Sequence, residues 1–188
     1  IGTVTRNNTD PYLSYSKGDI IDLTVEHALE ALGGEYSYTK YWLQARYYVP
    51  ITGLGDLFDR QLGDEDNPAI FAARLRAGFS SGDLPTASLY SLGGSSTLRG
   101  YDSGEYEGSE MFLANFELRI PIEKAFGLVI FYDTGNAWKS PWETNGGSFS
   151  LSDLHDAWGV GVRVKTPLGN FRLDHATGEK ESRTHFGF

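Results

Sequence analysis

Apolar and polar residues alternate with a period of two through most of the chain. That is the pattern of β-strands with one apolar face. Val160, Val162 and Val164 alternate with Gly159, Gly161, Arg163 and Lys165. Phe112, Ala114, Phe116, Leu118 and Ile120 oppose Leu113, Asn115, Glu117 and Arg119. Phe71, Ala73, Leu75, Ala77 and Phe79 oppose Ala72, Arg74, Arg76 and Gly78. Tyr41, Leu43, Ala45, Tyr47 and Val49 oppose Lys40, Trp42, Gln44, Arg46 and Tyr48. Ile21, Leu23 and Val25 oppose Asp22, Thr24 and Glu26, and Phe171 and Leu173 oppose Arg172 and Asp174. Residues 126–133 are apolar on both faces up to Asp133, and 182–188 form the last candidate strand. Helix competes only at 25–32, where the spacing is ambiguous and strand is the reading taken. Residues 7–18, 33–34, 51–68, 80–108, 134–156 and 166–170 read as turns and loops. Pro167 and Gly169 are placed for a tight connection.

Strands with charged residues at alternate positions suit either a soluble sandwich or a membrane barrel. Strand length separates them, because about ten residues cross a tilted bilayer span. The strands here reach that length. Tyr36, Tyr38, Tyr48, Phe79, Tyr132, Trp138 and Trp158 gather near their ends, as interface girdles do. The mean hydropathy of −0.33 is compatible with a barrel, whose lipid-facing residues alternate with polar ones. The longest apolar run, 125–132, is far too short for a spanning helix. The strand count is eight, with residues 1–18 as a periplasmic lead-in, or nine if they supply an extra strand. The fold expected is an all-β antiparallel meander forming a single transmembrane domain over 1–188.

Charge and composition narrow the chemistry. A net charge of −9 argues against a nucleic-acid partner, which needs a basic footprint. With no cysteine there is no thiol catalysis and no thiolate metal site. His27, His155, His175 and His185 lack metal-site spacing, so no metal or other cofactor is expected. No G-x-S-x-G elbow is present, and Ser152, His155 and Asp156 read as loop residues, so no catalytic role is expected. The acidic stretch 63–67 lacks the twelve-residue Ca²⁺ pattern and reads as a solvated loop. No secretory signal stands at the first residues, and without an initiator Met the sequence reads as a mature or trimmed chain.

Three segments in order resemble the BamA/TamA superfamily of outer-membrane insertases and two-partner-secretion transporters. Residues 92–101, with Gly93-Gly94 followed by Leu98-Arg99-Gly100-Tyr101, resemble the family's long extracellular loop. Residues 131–138, Phe-Tyr-Asp-Thr-Gly-Asn-Ala-Trp, resemble a family strand end. Residues 159–176, with Gly-x-Gly-x-Arg, Thr-Pro-x-Gly and Arg-x-Asp, resemble its penultimate hairpin, and Phe188 suits the terminal aromatic. The resemblance covers nearly the whole chain but only the C-terminal half of the family barrel, without POTRA domains.

The resemblance implies that the 80–108 loop folds back into the lumen. There Arg99 is held by Asp133, with Glu117 as a second candidate carboxylate. Gly100 would permit the turn, and Tyr101 would pack inside. Arg163, Arg172 and Asp174 read as a lumenal charge ladder. The implied function is non-enzymatic: insertion of membrane proteins, polypeptide translocation or envelope organisation in a bacterial-type outer membrane. The partners would be outer-membrane lipid and client outer-membrane or secreted polypeptides, a sheet edge templating the client strand. The alternative is a small structural barrel or weak pore of shared ancestry. An eight-strand barrel has room only for side chains. A loop carrying Arg99 therefore implies a wider lumen, which a homodimer of about sixteen strands would supply.

Overall fold

A computed structural model describes residues 1–9, 17–53, 68–123, 125–141, 147–167 and 169–187. The acidic 63–67 stretch and the terminal Phe188 lie outside the described residues, as does most of the 51–68 loop. Eleven strands appear among the described residues. They are β1 (Gly2–Asn7), β2 (Gly18–Ala28), β3 (Tyr38–Ile51), β4 (Ala69–Gly82), β5 (Tyr90–Leu92), β6 (Tyr106–Gly108), β7 (Glu110–Glu123), β8 (Phe126–Trp138), β9 (His155–Thr166), β10 (Gly169–Thr177) and β11 (Ser182–Gly187). Nine of them form one antiparallel meander in the order β1-β2-β3-β4-β7-β8-β9-β10-β11. The other two, β5 and β6, form a small hairpin within the connection between β4 and β7. No helix among the described residues is long and apolar enough to cross a membrane.

Of the two alternatives for the start of the chain, the extra strand holds: residues 2–7 pair with β2 and make the ninth strand of the sheet. One expectation needs correction, because the 25–32 segment is not one strand. β2 ends at Ala28 and a single 3₁₀ turn follows at Glu30–Leu32, closed by Gly33 at φ 92°. Only glycine adopts that left-handed conformation without strain.

The two faces follow the alternation. Leu43, Leu75, Phe79, Ile130, Val160 and Phe186 point outward and are each 43–64% exposed. A continuous apolar outer surface of this kind belongs against lipid, not water. Outward Trp158 stands near the start of β9, where interface aromatics sit; Tyr132 pairs with it but lies at the middle of β8, not at a strand end. Trp138 does not join them. It is 4% exposed and packs on Phe149 with ring centroids 5.0 Å apart. Tyr48 also points inward, lining the inner cavity. On the inner face, the 83–109 connection lies against the sheet and builds the main core from Tyr90, Leu92, Leu98, Tyr101, Met111 and Leu113.

Candidate functional site: an arginine seated on the inner wall

The 83–109 connection buries Arg99 against the inner wall, its side chain 5% exposed. Backbone geometry brings it there. Gly93 (φ 115°) and Gly100 (φ 96°) take left-handed conformations. A Cβ at Gly93 would lie 1.9 Å from the Asp102 carbonyl oxygen, and one at Gly100 would lie 2.8 Å from the Gly178 nitrogen. Thr97 closes the loop on itself, its hydroxyl donating to the Gly93 carbonyl at 2.7 Å and accepting from the Gly93 N–H at 2.9 Å.

Asp133 receives the arginine. Nε of Arg99 donates to Oδ2 at 2.7 Å and Nη2 donates to Oδ1 at 2.8 Å, a two-point fork. The Arg99 backbone N–H adds a third bond to Oδ2 at 3.2 Å, and Asn115 Nδ2 a fourth to Oδ1 at 2.7 Å. Nη1 of Arg99 turns to Glu117 Oε1 at 2.9 Å and to Asp174 Oδ2 at 3.4 Å. The guanidinium lies over the Phe131 ring, 3.5 Å from its centroid. One cation thus ties the loop to β7, β8 and β10. Asp133 and Asp174 are 0% and 1% exposed. Removing the cation would leave both buried without their shared partner, a change that in such pairs costs about 3–5 kcal/mol.

Tyr101 holds the far side of the loop. Its hydroxyl donates to the Asp156 carbonyl at 2.8 Å and accepts from the Glu179 N–H at 3.2 Å. Burial raises the phenol above its usual pKa, so it stays a neutral donor. Tyr90 holds the near side. Its hydroxyl lies 2.7 Å from the Tyr41 carbonyl and 3.0 Å from that of Phe79, and burial pushes it up to about 12.

A family model described as the Omp85 superfamily domain matches residues 1–188. The chain belongs to the Omp85 superfamily. Outer envelope protein 39, chloroplastic, of Arabidopsis thaliana is 28% identical over 155 residues, covering 77% of this chain and 43% of that protein. Protein TOC75-4, chloroplastic, of the same plant is 27% identical over 147 residues, covering 76% of this chain and 37% of that one. In fold the chain is similar to BamA from Haemophilus ducreyi lacking POTRA domains 1–3. The TM-score is 0.77 at 17% identity, over 98% of this chain and 40% of that one. The chain therefore spans less than half the length of each of these relatives.

The remaining expected residues of this Omp85 domain sort themselves by register. Asp174 stands opposite Gly161. Oδ1 takes a short hydrogen bond from Arg163 Nη1, and Oδ2 another from Nη2 at 3.1 Å. Asp174 so belongs to the Arg99 site as well as to a ladder. A Cβ at Gly161 would lie 2.0 Å from Asp174 Oδ1, and one at Gly159 would lie 2.5 Å from the Phe131 ring. The Gly-x-Gly-x-Arg stripe is the space in which the site is packed. Arg172 sits apart from it, directly across from Arg163 and against Gly187. Asn115 was not singled out in the sequence. It donates to Asp133, donates to the Thr97 carbonyl at 2.7 Å, and accepts from Arg74 at 2.8 and 2.9 Å. Tyr90 left one trace in the sequence, Gly78, at an otherwise bulky inward position. A Cβ there would lie 2.6 Å from the Tyr90 ring.

Proposed function

We propose that this Omp85 domain works in an outer membrane as a non-enzymatic barrel that helps client polypeptides insert into or cross the membrane. The observation that carries the reading is the Arg99 loop. It fills the inner face and is held at Asp133, Glu117 and Asp174, which braces the sheet from inside. A sheet braced internally can keep an edge available without collapsing. The edges are β1 and β11, neither of which has a second neighbour in the sheet among the described residues. Unpaired backbone groups on such an edge template an incoming strand, and in lipid they must be paired by something. The relatives lie on both sides of a divide in location: two are chloroplastic by name, one of them an outer envelope protein, and the solved one is bacterial. An outer membrane is common to them.

Reconstitution in liposomes with a second, urea-unfolded outer-membrane protein tests the reading. The chain speeds folding of that client, and Arg99→Ala reduces the acceleration. Unchanged client folding rates with and without the chain contradict it. The resting partner of the two edges is proposed to be a second copy, paired edge to edge. A protein component of twice 20.8 kDa in the detergent particle supports that assembly, and a single copy excludes it.

A further inference from the structure

At the end of the sheet away from Tyr90 and Tyr101, the inner face carries more positive charge than it neutralises. Six guanidiniums, of Arg46, Arg74, Arg99, Arg119, Arg163 and Arg172, stand near four carboxylates, of Asp22, Glu117, Asp133 and Asp174. Arg46 is paired with Asp22 at 2.7 Å and Arg119 with Glu117 at 2.8 Å. Arg163 is paired with Asp174, and Arg99 with Asp133. Among the described residues Arg74 bonds only neutral oxygens, those of Asn115 and Ser96. Arg172 has no carboxylate within ion-pair distance among the described residues.

The register makes this arrangement costly. Arg46 stands directly opposite Arg74 across β3 and β4. Arg172 stands directly opposite Arg163 across β9 and β10. Like charges at directly opposed positions destabilise a sheet. Nε of Arg46 is also buried without an acceptor among the described residues. A cavity of about 250 Å³ lies between these groups, lined by Arg46, Arg74, Arg119 and Arg172 with Ser95 and Ser96 from the loop, and by one carboxylate, that of Glu117, which Arg99 and Arg119 neutralise.

We propose that this cavity binds a phosphate dianion, either free or as the phosphomonoester of a lipid headgroup. Two guanidiniums without a carboxylate in direct contact among the described residues match a doubly charged anion. Their planar forks suit tetrahedral phosphate oxygens, and the serine hydroxyls supply neutral donors beside them. The volume admits a phosphate group and a few waters, each water taking about 30 Å³. The bound anion would join β3 and β4 to β10 and the loop tip, relieving both like-charge pairs at once.

The site does not depend on the client-handling role, and its test reads no client. Thermal unfolding of the full, delipidated protein in detergent is followed while inorganic phosphate is added, with chloride at matched ionic strength as the control. A second arm uses short-chain phosphatidic acid. A saturable rise in melting temperature with either probe supports the site, and the arm that responds names the source. Arg172→Gln weakens that binding about tenfold, the share of one charge-assisted hydrogen bond. Arg172→Gln also removes the repulsion with Arg163. Without phosphate the variant melts at or above the parent, and with saturating phosphate it melts below it. That crossing separates a binding role from a packing role. Arg74→Gln repeats the loss from the other side of the cavity. No saturable response to either probe, or an equal response in Arg172→Gln, overturns the proposal.

Discussion

Asp133 takes four donors on two oxygens, and three of them come from one residue, Arg99. Such a carboxylate holds its partner in one pose as well as in one place. The glycines beside it are there for volume. Gly161→Ala puts a methyl group 2.0 Å from Asp174 Oδ1, so the carboxylate must leave Arg163 or Arg99. Overpacking of this kind costs about 1–3 kcal/mol. The expected result is a lower melting temperature for Gly161→Ala, with the outward neighbour Val160→Ala shifting it much less. Equal shifts would mean that Gly161 is not packed against the site. Arg99, Gly100, Tyr101 and Asp133 were legible because they sit in ordered motifs of a known family. Asn115 was not. An amide at an alternating position has nothing in its own sequence to mark it, and its role comes from facing Asp133 across β7 and β8. The alternation puts Asp174 in the ladder alone, because its reach to Arg99 depends on a loop whose path the alternation does not encode.

Strand existence and facing were the most legible level, because a one-residue slip would turn every apolar side chain to the wrong face. The ends were less so. β8 runs on to Trp138 and buries that ring against Phe149 of the β8–β9 connection, where tertiary packing overrides an interface reading. The tail of the 25–32 segment turns at Gly33, so its apolar residues carry a strand-like spacing without forming a strand. Facing gives a direct prediction on β9. Val162 pairs with Leu128 on one side and Leu173 on the other, all on the outward face. Val162→Arg places a charge in lipid and costs about 2–4 kcal/mol if the site is near the midplane. Val162→Leu leaves stability nearly unchanged. The comparison is made by urea titration in lipid vesicles, and equal midpoints for the Arg variant and the parent would reverse the assigned faces.

Over the whole molecule, the loop acts as a brace that crosses the inner face. Lys40 of β3 donates to the Ser88 carbonyl at one side, and Arg183 of β11 meets Asp102 at 2.8 Å at the other. The strands between them are linked through Arg99 to β7, β8 and β10. Loop and sheet should therefore unfold as one unit. The closest test is a double-mutant cycle on Arg99→Ala and Asp133→Asn, read as the temperature at which the folded band is lost in a semi-native gel. Either single change leaves a buried polar group without its partner, so each lowers that temperature substantially. Coupled residues give a double variant little worse than either single one. Strictly additive losses would show that the loop and the wall do not share this contact.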